Sequence, residues 1–158
     1  MDDVFAFDQE NYDRYAAALD GYRAHIAQSE TPVEHDQFGF PLRLADGVFP
    51  AHPGLCQSTN SVLAHLSQDM RGKEVLDMGT GTGVLAIAAA KRGALVAACD
   101  ISPTAVALAE FNRAANPDTI DRLFIFQSDL FKDLPDAARG SQHLIMANLW
   151  FPPYAEDR

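Results

Sequence analysis

Long apolar runs are missing from this chain. No stretch of about 18 apolar residues occurs, so no membrane-spanning helix is expected. The first ten residues, MDDVFAFDQE, lack the basic start and apolar core of a secretory leader, which points to a cytoplasmic protein. Basic residues are scarce: 12 Lys and Arg against 22 Asp and Glu give a net charge of −10. A protein that holds bare nucleic acid through its phosphates normally concentrates positive charge, and this composition disfavours that class. Cysteine is nearly absent. Cys56 and Cys99 are not spaced as a metal knuckle, and Cys99 sits in an apolar run that suits a reduced core thiol. The histidines at 25, 35, 52, 65 and 143 show no ligand spacing either, so no metal is expected.

What remains is a globular composition, 47% hydrophobic and 22% charged over 158 residues, enough for one domain with one core. The chain has two textures. From Asp8 to Gln28, Tyr12, Tyr15, Ala16, Leu19, Tyr22 and Ile26 recur at helical spacing. Residues 31–53 are rich in Pro and Gly, and ADG at 45–47, between the apolar pieces 38–44 and 48–49, predicts a hairpin turn. Ser58 or Thr59 can cap a helix that runs to about Asp69 and buries Val62, Leu63 and Leu66.

After Arg71 the rhythm changes. EVLDMG (74–79), ALVAACD (94–100), LFIFQSD (123–129) and HLIMAN (143–148) read as buried strands. Between them VLAIAAAKRG (84–93), stopped by Gly93, and SPTAVALAEFNRAAN (102–116), with Ser at the cap and Pro at the first turn, read as helices. The alternation predicts an α/β fold with a parallel sheet and helices on both faces.

DMGTGTG (77–83) closes the first of these strands and opens a helix. Its glycines allow a close backbone approach. A dinucleotide loop would read G-x-G-x-x-G, but here Gly83 follows Gly81 by two residues, and Asp77 precedes Gly79 by two. The pattern D-x-G-x-G-x-G resembles the first motif of Rossmann-like S-adenosylmethionine (SAM) methyltransferases, over roughly residues 55–154. GVFPAHPGLCQSTNSVLAHL (47–66) is similar to the segment before that motif in the glutamine-N5 and small-domain RNA methyltransferases, where a polar residue such as Thr59 approaches the methionine end of the cofactor.

The resemblance implies the strand order 3-2-1-4, SAM as cofactor and a site residue by residue. Asp77, Gly79, Thr80, Gly81 and Gly83 form the turn under its methionine part. Asp100 accepts from the ribose hydroxyls and Ile101 packs on the adenine. Asp129 accepts from the adenine amino group, and the Leu130 N–H meets a ring nitrogen. Asn148 borders the cofactor and orients the acceptor. Members that methylate planar nitrogens carry [N/D/S]-P-P-[Y/F/W] after the fourth strand, and NLWFPPY (148–154) matches it imperfectly. Either Asn148 is the catalytic Asn and Leu149, Trp150 and Phe151 separate it from Pro152, Pro153 and Tyr154, or FPPY is the tetrad and the acceptor side chain is lost. Trp150, Phe151 and Tyr154 suit a flat or apolar substrate; they equally suit covering a sheet edge.

By the same resemblance, residues 1–53 are an N-terminal extension and 54–158 a SAM-binding methyltransferase domain without its C-terminal strands, which expects a fragment of a longer protein. A naturally short protein pairing its edge strand with a second copy, or an edge covered by residues 8–53, are the other two readings. The acceptor stays open between protein, RNA and small molecule. A non-catalytic SAM-binding or partner module is the alternative to an enzyme.

Overall fold

The computed structural model describes residues 38–52 and 56–149, the backbone of 33–35, and separate positions between Glu10 and Ala24. Those separate positions, Glu10, Asp13, Arg14, 16–18, 20, 21 and 24, are helical, as expected there. Strands β1 (Val33–His35) and β2 (Leu42–Leu44) pair antiparallel, Glu34 opposite Arg43. The hairpin therefore lies upstream of ADG. Asp46 and Gly47 do turn the chain, with Gly47 at φ +77°, but no strand follows them.

Helix α1 (Gln57–His65) starts after Cys56 without a side-chain cap, and Thr59 sits buried inside it rather than at its start. Then β3 (Glu74–Met78), α2 (Val84–Lys91), β4 (Leu95–Asp100), α3 (Pro103–Ala114), β5 (Leu123–Gln127) and β6 (Leu144–Ala147) follow. Ser102 caps α3 by accepting from the Ala105 amide at 3.4 Å, and Pro103 occupies the first turn. Gly93, at φ +98°, ends α2 where the chain must reverse against Arg71.

The sheet order is β5-β4-β3-β6, all parallel, which is 3-2-1-4 in chain order within the sheet. Period-two alternation sorts its two faces. Val75, Val96, Ala98, Leu123 and Met146 meet α2 and Val62 and Leu63 of α1 in the main core, where seven residues of α2 from Val84 to Ala90 are buried. Helix α3 packs beside them on β4 and β5. The expectation of helices on both faces is corrected here: among the described residues, the opposite face carries no helix. The crossover from β5 to β6 holds only a short 3-10 turn, Asp136–Ala138, and Leu134 covers Leu76, Met78 and Cys99. That crossover is too short in apolar periodicity to build an amphipathic helix. Leu95, Phe124 and Ile145 on this face stay about half exposed, at 48%, 46% and 50%.

The outer edge of β6 has no strand partner among the described residues. A groove of about 630 Å³ runs along it beside α1. The hairpin does not cover this edge; β2 packs instead on α3, at the other side of the molecule. Among the described residues no helix is long and apolar enough to cross a membrane.

The asymmetry of the two faces sets a stability contrast. Ile87→Ala, at a site with no exposure, should cost about 2–5 kcal/mol through lost burial and a cavity. Phe124→Ala on the open face should cost about 1 kcal/mol or less. Urea unfolding of both variants checks this, and equal losses would show that the open face is covered in solution.

Candidate functional site

Parallel strands bring their carboxyl ends to one edge, and residues at or just after the end of each strand of the sheet meet at one cleft there. The cleft encloses about 460 Å³, within the roughly 300–1,000 Å³ of small-molecule sites. Asp77, Gly79, Thr80 and Gly81 from the end of β3, Asp100 and Ile101 from β4, Asp129 and Leu130 after β5, and Asn148 after β6 all line it. Gly83 does not line it; it supports the turn from behind. Trp150, Phe151, Pro152, Pro153 and Tyr154 lie outside the described residues, so the two alignments of NLWFPPY stand as they were.

The turn is built from its end residues inward. Asp77 is buried, and its carboxylate accepts from the Thr80 hydroxyl at 2.7 Å and from the Ala86 amide in the first turn of α2. The N-cap of α2 is Gly83, which has no side chain to offer, so Asp77 satisfies one of the orphan amides of that helix from the preceding strand. Burial pushes its carboxyl well above the ordinary aspartate range, to about 6, against the opposing pull of the Thr80 and Ala86 bonds; the nearby Asp100 charge adds to the rise.

The Gly79 and Thr80 amides both donate to the Cys99 carbonyl, at 2.8 and 2.9 Å, which ties the turn to β4. Gly79, Gly81 and Gly83 adopt φ of +70°, +55° and +82°. A Cβ on Gly79 would require the Leu149 side chain to move, and one on Gly83 would crowd Ala109 Cβ at 3.3 Å. The glycines are thus demanded first by backbone conformation.

Asp100 already has two bonds. One oxygen accepts from the Gly81 amide at 2.9 Å, the other from the Ser102 amide at 2.9 Å. Each carboxylate oxygen can accept again, so the group points at the cleft preoriented and with capacity left. Leu130 is the one non-glycine described residue with positive φ, +53°. Ser128 maintains that conformation: its hydroxyl donates to the Leu130 carbonyl at 2.7 Å and accepts from the Asp133 amide at 3.0 Å. Strain of this kind gathers at ligand sites.

Asn148 Nδ2 donates to Thr59 Oγ1 at 3.0 Å, a bond between β6 and α1, 89 residues apart. The same wall takes in Val48, Phe49 and Ala51 from the segment after β2. Sequence reasoning named Thr59 and the stretch around it; it missed Val48, Ser128 and Leu149. Only the 47–66 resemblance could have pointed to Val48, and nothing in the local pattern marks the other two. Burial raises the thiols of Cys56 and Cys99, so neither is a thiolate nucleophile at neutral pH. Among the described residues no group of His, Cys, Asp and Glu could hold a metal ion.

An open parallel sheet with a glycine turn and an acid on each of its next two strand ends defines a Rossmann-like cofactor-binding domain. The family model for ribosomal protein L11 methyltransferase (PrmA) matches residues 53–153, and the chain belongs to that family. It is 36% identical over 75% of its length to a Methanocaldococcus jannaschii protein that bears the name of a protein N5-glutamine methyltransferase. It is 33% identical over 67% of its length to the ribosomal protein L11 methyltransferase of Leptospira interrogans. It spans 55% of the first relative and 38% of the second. Among solved structures it resembles the T. thermophilus 16S rRNA N2 G1207 methyltransferase in complex with AdoMet and guanosine, with a TM-score of 0.61 and 25% identity over 78% of this chain and 33% of that one. Trm5b from Pyrococcus abyssi gives a TM-score of 0.52 at 30% identity, over 63% of this chain and 28% of that one.

The buried Asp77 generates a pH signature. Its native pKa is raised, so the folded state binds this proton more tightly than the unfolded chain. The group therefore costs stability as pH rises from the ordinary aspartate range through about 6. Measured against Asp77→Asn, the wild-type unfolding free energy should fall by roughly 1–3 kcal/mol between pH 4 and 6.5 and then level. Two parallel stability-versus-pH curves would mean that Asp77 titrates as an ordinary aspartate.

Proposed function

We propose that this chain carries the cofactor-binding and acceptor-orienting part of a SAM-dependent methyltransferase, acting in the cytoplasm on a nitrogen of a protein acceptor. The observation that carries this reading is the convergence of the glycine turn, Asp100, Asp129 and Asn148 on one cleft at the carboxyl edge of the sheet. Membership of the L11 methyltransferase family supports a protein acceptor. The net charge of −10 argues in the same direction, because an RNA acceptor would meet a repulsive surface.

The cleft fits the cofactor in its chemistry as well as its size. Asp100, anchored by Gly81 and Ser102, accepts from the ribose hydroxyls with its remaining lone pairs. Ile101 and Leu130, both exposed at the rim, offer apolar contact to the adenine, and Asp129 accepts from its amino group. The turn from Gly79 to Gly81 borders the methionine part. When bound, SAM supplies a methyl group on a positively charged sulfur, already activated for transfer.

What the chain adds at the acceptor is orientation. The Asn148 amide nitrogen is engaged by Thr59, so its Oδ1 is the atom left to face an acceptor. An oxygen there accepts an N–H and aims the nitrogen lone pair, which selects nitrogen acceptors over groups without a hydrogen to donate. No strong base is needed for this step, and among the described residues no His or Lys lines the cleft. Trp150, Phe151 and Tyr154, with Pro152 and Pro153, are proposed to close over the acceptor.

Calorimetric titration with SAM, S-adenosylhomocysteine and NAD tests the cofactor assignment. The first two should saturate and NAD should not. Asp100→Ala should weaken both by ~10-fold or more, the value of charge-assisted hydrogen bonds. Asn148→Ala should lower labelled-methyl transfer by about 100-fold with a much smaller change in cofactor affinity. Saturable binding with no transfer by the wild type to any protein fraction would instead identify a non-catalytic binding module.

A further inference from the structure

The carboxamide of Asn112 has no exposure, lies on α3 outside the cleft, and makes three hydrogen bonds to two separate parts of the chain. Its Oδ1 accepts from the Arg43 amide at 2.7 Å, and its Nδ2 donates to the Arg43 carbonyl at 3.0 Å. A side-chain amide that answers both the N–H and the C=O of one residue replaces a neighbouring strand for β2. The same Nδ2 donates to the Thr82 carbonyl at 2.8 Å, inside the glycine turn. One turn later Asn116 Nδ2 repeats half of this device on the Pro41 carbonyl at 2.9 Å. Pro41 has no N–H to return, and Asn116 Oδ1 is left buried without a partner. Among the described residues, Asn112 is the one side chain hydrogen-bonded both to the N-terminal arm, residues 38–52, and to the glycine turn.

The arm matters because of where it goes next. Immediately after β2, Val48 packs on Ala105 and Leu108 of α3 and lines the cleft together with Phe49. Val48 comes within 3.9 Å of where a Cβ on Gly81 would stand. Part of the cleft wall is therefore supplied by this arm, which packs in the core with α2 and is tied to the glycine turn by the buried Asn112 carboxamide.

We infer that Asn112 is a positioning residue for the cofactor cleft: it locks the N-terminal arm to the glycine turn, so that arm order and ligand affinity depend on each other. This rests on the SAM-binding reading for the identity of the ligand, and on the hydrogen bonds alone for the coupling. Binding energy gained at the turn stabilises the arm across the Asn112 bridge, and loosening the arm lowers affinity at the cleft whose wall it supplies.

The test uses the full chain, S-adenosylhomocysteine titration and amide hydrogen exchange. Asn112→Leu, close in shape but without hydrogen bonds, should bind S-adenosylhomocysteine ~10-fold more weakly, given about one kcal/mol for each net hydrogen bond lost and partial compensation. Leu123→Ala, a destabilising core change remote from the cleft, should leave that affinity unchanged. Exchange at the Arg43 and Gly83 amides should accelerate together in the Asn112 variant, and ligand should slow both in the wild type. If Asn112→Leu does not fold, Asn112→Asp retains the acceptor for Arg43 and sets a carboxylate against two carbonyls, and should show the same pattern. Unchanged affinity, or faster exchange confined to the arm, overturns the proposal. If the wild type binds no S-adenosylhomocysteine, the methyltransferase reading fails, while joint or separate exchange at Arg43 and Gly83 still decides whether Asn112 couples arm and turn.

Discussion

Asp77 ends a central strand with its carboxylate out of reach of water, and the architecture of the cleft follows from how that group is satisfied. Ionised, it must collect donors, and those available are the Thr80 hydroxyl and the Ala86 amide at the positive end of α2. Collecting them bends the chain from strand into helix within six residues, through three left-handed glycines. The bend in turn exposes the Gly81 amide to Asp100 and sends the Gly79 and Thr80 amides to β4. A charge kept inside the protein at a cost is thus what holds the turn open in front of the sheet.

A second layer of polar side chains fixes what surrounds the turn. Ser128 holds Leu130 in a left-handed conformation, Thr59 holds Asn148, and Asn112 ties the arm to Thr82. The first of these bonds is local, while the other two join elements 89 and 30 residues apart in sequence. The cleft is preorganised before any ligand enters, which lowers the ordering cost of binding. The apolar work is done elsewhere, by α1, α2 and α3 on one face of the sheet. Among the described residues the other face is thinly covered, and its half-exposed Leu95, Phe124 and Ile145 belong with the edge of β6, which has no strand partner there, as apolar surface of a kind that proteins normally cover.

Much of this was legible in the residues themselves. The four sheet strands and the two helices after them follow from apolar runs and caps, the 3-2-1-4 order from the resemblance to the methyltransferase family, and the structure agrees to within one or two residues at most ends. The spacing of Asp77, the glycines, Asp100 and Asp129 placed the candidate site at strand ends, where the structure puts them around one cleft. The hairpin was misplaced because Asp46-Gly47 is a genuine turn signal with no partner strand after it; strand pairing is non-local and no turn residue reports it. The expected helix over the second face failed for a related reason, since alternation of strands implies a crossover but says nothing of whether that crossover has enough apolar residues to be a helix.

Sequence alone determined the α/β class and the glycine turn, because these depend on local periodicity and on residue spacing along one chain, while the strand order and the choice of the acids and Asn148 as site residues came from the family resemblance that the motifs carry. Only the tertiary structure decided that Thr59 orients Asn148, that Asn112 joins the arm to the turn, that Val48 supplies a wall and that one face stays open. Those are contacts between residues 30 to 89 positions apart, chosen by packing rather than by pattern. A side-chain amide carries no signal of which distant backbone it will meet until the sheet has brought that backbone to it.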